Sequence, residues 1–127
     1  MTTSSPRFRP LAGALALAAL LVVPSTALAA RRAARPRTCD VSALAGTLGT
    51  TTITSLKVTG VRCDAGVRVV RAFTACRLAN GPSGRCVRLV SGYACAEQRV
   101  NGPTSFSATA TCRKDRKSVV HKYTQTL

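Results

Sequence analysis

Tryptophan is absent from this 127-residue sequence, histidine occurs once, and acidic residues occur only four times. Each shortage removes a class of chemistry. The acids are Asp40, Asp64, Glu97 and Asp115. Asp64 reads as a cap or first-turn anion of a helix and Asp115 as a turn residue, so no convincing carboxylate pair is left for glycoside hydrolysis. One histidine excludes the two-imidazole arrangement of simple ribonucleases. His121 is expected at the surface or half-buried on a short terminal strand, and no GxSxG elbow supports a nucleophilic triad around it. A phosphate-cradling glycine loop and a dinucleotide fingerprint are also missing. The expectation is a non-enzymatic protein with no catalytic residues, no metal and no cofactor. Aromatic residues make up 4% of the chain, too few for the stacking platforms of single-strand nucleic-acid binders. Specific nucleic-acid recognition is not expected.

What the chain has in quantity is arginine, alanine and cysteine. Arg7 and Arg9 precede an unbroken apolar run at 11–23, then Pro24 and Ser25, then Ala27-Leu28-Ala29. This is the pattern of a secretory signal peptide over residues 1–29. The run is 13 residues long, short of the roughly 20 that span a bilayer as a helix. A secreted or envelope-associated protein without a transmembrane segment in its mature form is expected. Cleavage would remove only Arg7 and Arg9 of the 19 basic residues and none of the four acids, leaving a net charge of +13. Residues 30–38, ARRAARPRT, form a basic stretch with no periodicity and a proline, expected to be a disordered arm. Residues 39–127 then form a single disulfide-bonded domain.

Cys39, Cys63, Cys76, Cys86, Cys95 and Cys112 are even in number and include no CxxC pair. In an exported chain with a thin core they read as three disulfides, since zinc would ask for closer spacing and more histidine. Of the 15 possible pairings, a chain reversing direction from strand to helix to strand favours Cys63–Cys95 and Cys76–Cys112, leaving Cys39–Cys86.

Gly60 to Cys76 organises the rest: the end of a strand, a cysteine at the corner, and an amphipathic helix. At about 100° per residue, Ala65, Val69, Ala72, Phe73, Cys76 and Ala79 share one side, and Asp64, Arg68, Arg71 and Thr74 the other. Gly66 weakens the first turn, so packing and cross-links must hold the helix. Before it, 41–52 is open between a loose helix and a loop. Residues 53–61 alternate as a strand, with Ile53 and Lys57 on one side and Leu56 and Val58 on the other. After it, 80–85 is a turn, 87–97 contains a strand with Leu89, Tyr93 and Cys95 on one face, and 101–104 is a turn. Residues 104–113 are the clearest strand, with Phe106, Ala108, Ala110 and Cys112 inward. Lys114 to Lys117 is a hairpin turn before a last strand at 118–125. Ala108 and Ala110 are small enough to let a helix approach the sheet closely. The fold class is α+β, one helix on a mainly antiparallel sheet of about four strands.

A GVxC corner (Gly60 to Cys63), a helix with an inner cysteine (Cys76), a GYxC strand (Gly92 to Cys95) and a TxTCRxxRxxVxxxY hairpin (Thr109 to Tyr123) together resemble small exported, disulfide-bonded proteins of unassigned function from high-GC bacteria. The resemblance covers most of the mature chain, and its motifs are structural, so it carries over no catalytic residue.

The charge would attract any polyanion. Arginine outnumbers lysine 15 to 4, as expected of a GC-rich genome whatever the function, and export directs attention to anionic envelope or extracellular polymers. The contacts expected for such a partner are Arg31, Arg32, Arg35 and Arg37. The alternative is a secreted hydrolase inhibitor, acting on a protease through a disulfide-braced loop such as Arg77 to Arg85.

Overall fold

The computed structural model describes residues 33–127. The expected signal peptide and cleavage site, and Arg31 and Arg32 of the expected arm, lie outside the described residues. Among the described residues no helix is long and apolar enough to cross a membrane.

The chain runs β1 (Arg37–Cys39), a 3-10 turn (Ser42–Leu44), β2 (Thr51–Thr59), α1 (Cys63–Leu78), β3 (Ala94–Asn101), β4 (Ser105–Lys114) and β5 (Lys117–Thr126). The five strands form one antiparallel sheet in the order β1-β2-β5-β4-β3. α1 packs across β2 and β5, the middle of the sheet. The core between them holds Leu56 and Val58 of β2, Phe106, Ala108, Ala110 and Cys112 of β4, Val119 and Tyr123 of β5, and Val69, Val70 and Phe73 of α1. The other face of the sheet presents mostly hydroxyl side chains, such as Ser107 and Thr109 of β4 and Thr124 of β5, with Lys122 beside them.

α1 begins without a side-chain cap. Asp64 is a first-turn anion instead, 3.1 Å from Arg68 and 3.2 Å from Arg62, with all three side chains largely in solvent. Its hydrogen bond from Arg68 holds the Asp64 carboxyl below the usual range. The inward face is rotated from the expected one. Thr74 is buried, Ala79 lies beyond the helix and is exposed, and Gly66 is buried. A Cβ at Gly66 would stand 2.5 Å from Val58 Cγ1. This glycine therefore lets the helix sit close against β2, and the lost helix propensity is the cost of that approach.

Three expectations about the strands are corrected, and one open segment is resolved. β1 is a fifth strand, pairing Arg37 with Val58 and Cys39 with Leu56, so the expected arm is already part of the sheet at Arg37, and of its described residues 33–36 lack regular structure and lie exposed. β2 shifts register between Ile53 and Ser55, which turns Ile53 to the same buried side as Leu56 and Val58. The strand expected in 87–97 starts only at Ala94, leaving Leu89 65% exposed. The segment 41–52, open between a loose helix and a loop, is a 3-10 turn followed by loop to residue 50, with Thr51 and Thr52 already in β2. Asp40 accepts from the Ser42 N–H and hydroxyl at 2.9 and 2.8 Å, and Leu44 and Leu48 anchor the loop in the core.

Three disulfides are formed, as expected, but all three pairings differ. They are Cys39–Cys63, Cys76–Cys86 and Cys95–Cys112, not Cys63–Cys95, Cys76–Cys112 and Cys39–Cys86. The reason is the late start of β3. Cys95 falls at the beginning of that strand, directly opposite Cys112 of β4, and so is out of reach as the mate of Cys63. The residues released from the strand become a loop that returns Cys86 to the end of α1, beside Cys76. Cys39, on edge strand β1, then meets Cys63 at the start of the helix.

Candidate functional site

Arginine occurs in two settings, at opposite ends of the sheet. At one end the β2–α1 corner, the start of β1 and the β4–β5 hairpin converge. Here a groove of about 450 Å³ is lined by Arg35, Arg37 and Arg62, together with Val58, Gly60 and Val61. Gly60 has φ +69, and a Cβ there would press on the Arg116 carbonyl at 3.2 Å and the Lys117 side chain at 3.5 Å. The hairpin is thus packed against the corner that carries Arg62. Arg113, Lys114, Arg116 and Lys117 are exposed, with Asp115 as the hairpin's one acid. Arg62 shares Asp64 with Arg68. Among the described residues neither Arg35 nor Arg37 has an acidic partner within ion-pair distance. The cations here are solvated, close together and hardly compensated.

Of the expected contacts, Arg35 and Arg37 are brought together on this groove. Arg62 was not anticipated as a partner for them. Its position right before Cys63 was a usable signal, because a cysteine bonded to Cys39 must carry its neighbour towards the Arg37 strand.

At the other end Arg77, in the last turn of α1, has no exposed surface. It donates to the Pro82 carbonyl at 2.9 Å, to Thr51 Oγ1 at 2.7 Å and to Gln125 Oε1 at 2.6 Å, and its guanidinium lies 4.9 Å from the Tyr123 ring centre. Burial makes the charged form less favourable and lowers its proton affinity. Arg99 donates to Glu97 and to the carbonyls of Ser83 and Gly84, and lies over Phe106 at 4.1 Å. Glu97 also accepts from the Tyr123 hydroxyl at 2.8 Å. Burial first, and that hydrogen bond second, push the Tyr123 phenol well above its ordinary range. Asn80 donates to the Arg85 carbonyl at 3.0 Å. The carbonyls of residues 82–85 therefore all accept from Arg77, Arg99 or Asn80, and the Arg77 to Arg85 loop, although closed by the Cys76–Cys86 bridge, holds Arg77 where no protease pocket can reach it.

His121 is fully buried, against the surface or half-buried position expected. Its ring is 5.1 Å from Phe73 and 5.9 Å from Tyr123, and neither nitrogen has a hydrogen-bond partner. Burial lowers its pKa to about 4. The strand is ten residues long rather than short, and its alternation carries position 121 inward between Val119 and Tyr123. Among the described residues no group of three His, Cys, Asp or Glu side chains could hold a metal ion. A second recess, about 480 Å³, opens on the hydroxyl-rich sheet face and is lined by Gln98, Ser107, Thr109, Lys122 and Thr124 among others. It can hydrogen-bond, but it brings no acid or imidazole together.

Comparison of the chain with protein-family models, with curated proteins and with solved structures finds no match.

Proposed function

We propose that this is a secreted, non-enzymatic basic domain that binds an anionic polymer of the cell envelope or extracellular space at the groove of Arg35, Arg37 and Arg62. The carrying observation is that these three arginines line one groove with a single carboxylate beside them, while the hairpin adds further cations at the same end. Three disulfides and the apolar leader pattern support an oxidising location outside the cytoplasm. The groove sets three arginines against a single carboxylate, so charge supplies most of the attraction. Attraction of that kind is screened beyond roughly 8 Å at physiological salt.

The test is sedimentation with purified anionic cell-wall polymer and with anionic liposomes, at low and at high salt. Binding is expected at low salt and is lost as salt rises. Arg35→Ala, Arg37→Ala and Arg62→Ala together should weaken it by about tenfold or more, if each solvated contact is worth roughly 0.5–1 kcal/mol, with the melting temperature unchanged. No binding at low salt, or binding indifferent to both salt and the triple change, would overturn the reading.

A further inference from the structure

Past Cys86 the chain turns outward. Val87 is 93% exposed and Leu89 65%, two of only four large apolar side chains left in solvent among the described residues. Arg88 stands between them, also exposed. No backbone–backbone hydrogen bond among the described residues engages Cys86 to Leu89, so their peptide groups are free to pair with a partner. Yet the segment is pinned on both sides. Cys86 is bonded to Cys76 of the helix. Val90 is buried and exchanges two backbone hydrogen bonds with Tyr93, at 2.9 and 2.8 Å. Arg88 Nε comes within 3.4 Å of Cys76 Sγ, so the guanidinium rests against the bridge in the free protein and swings outward from there to enter a partner's pocket.

A short stretch with free peptide groups, protruding side chains and fixed ends has little conformational freedom left to lose on binding. Unpaired backbone is also what an extended peptide offers to a strand-like cleft. Serine endopeptidases of the trypsin type hold one side chain in a primary pocket with an aspartate at its base. An arginine flanked by valine and leucine matches that pocket in charge and the walls beside it in polarity. The loop from Arg77 to Arg85 lacks these features, since its carbonyls are bonded inward and its first arginine is buried.

We propose that Cys86 to Val90 docks in the active-site cleft of a trypsin-like serine endopeptidase, with Arg88 in the acid-based primary pocket and Val87 and Leu89 against its flanks, and that the domain inhibits the enzyme by occupying that cleft. The segment shares no residue with the arginine groove, and the proposal does not rest on polymer binding.

The experiment titrates the oxidised protein, residues 30–127, into trypsin and into a subtilisin-type protease, following hydrolysis of a small chromogenic peptide at high salt to screen general charge attraction. Competitive inhibition of trypsin is expected, with subtilisin inhibited less. Arg88→Ala should weaken trypsin inhibition about 100-fold or more, the loss seen when a central anchor residue is removed. Arg88→Lys should restore most of it, and Lys122→Ala on the far sheet face should leave it unchanged. The melting temperature of Arg88→Ala, expected to equal that of the parent, shows that the loss is one of contact. Three results would overturn the proposal: no inhibition at tenfold molar excess, equal inhibition by Arg88→Ala, or rapid cleavage after Arg88 with no inhibition.

Discussion

Arg77 and Arg62 sit at opposite ends of one helix and are used in opposite ways. Arg77 is sealed in the core, where a loop carbonyl, a hydroxyl and an amide oxygen accept its protons and aromatic rings flank its charge. Arg62 is 87% exposed, with one shared carboxylate. The difference shows that arginine is partly a structural material here. Loop 79–93 buries only Val90 and Tyr93 of its large apolar side chains, and it is held largely by carbonyls that converge on Arg77, Arg99 and Asn80. The net positive charge therefore overstates the protein's capacity for anions, because the charges of Arg77 and Arg99 are spent inside.

The largest break in that comparison is Arg77→Ala. It strips donors from Pro82, Thr51 and Gln125 and opens space beside Tyr123, and should cost about 3–5 kcal/mol, read from the shift of the urea midpoint. Arg77→Lys should recover little of this, since an ammonium cannot serve acceptors spread over a planar fork. Next in size is an effect of pH on the same core. The unfolded chain takes up a proton at His121 below about pH 6.5, whereas in the folded protein the imidazole does so only near pH 4. Stability is therefore complete above pH 6.5, falls as the pH drops towards 4, and levels off below it, a loss of about 3 kcal/mol from this residue. His121→Leu should flatten that part of the stability–pH curve, and a curve that stays steep would show that another group is responsible. The smallest effect sharpens the contrast from the other side. Arg62→Ala should change stability by no more than about 0.5 kcal/mol, however strongly it affects polymer binding.

The elements of local origin were legible in the sequence. The helix at Cys63, the β4 strand with Phe106, Ala108, Ala110 and Cys112 inward, and the Lys114 to Lys117 turn all follow from period and turn chemistry, and the helix-on-sheet layering follows from them. What failed depended on register. The bulge after Ile53 inverts a face, and no residue there announces it. The late start of β3 moves Cys95 from the far end of a strand to its beginning, and that one shift reverses all three disulfide assignments. Arg77 opens the loop expected to meet a protease, and nothing near it in sequence announces that it is buried. Its burial depends on Thr51 and Gln125, which are distant in sequence and adjacent only through the pairing of β2 with β5. Of the groove, Arg35 and Arg37 were readable from local charge, and Arg62 only through the correct partner of Cys63.

The three cross-links join the first cysteine to the second, the third to the fourth and the fifth to the sixth. No bridge encloses or interlaces with another. A chain delivered N-terminus first to an oxidant can close each link before the next cysteine pair arrives, and joining each thiol to the next available one produces the native set. Vectorial delivery thus selects one connectivity out of fifteen with no reshuffling, so a disulfide isomerase has nothing to correct along that route. The same chain reduced and released all at once in solution has no such ordering, and would have to find these partners by trial.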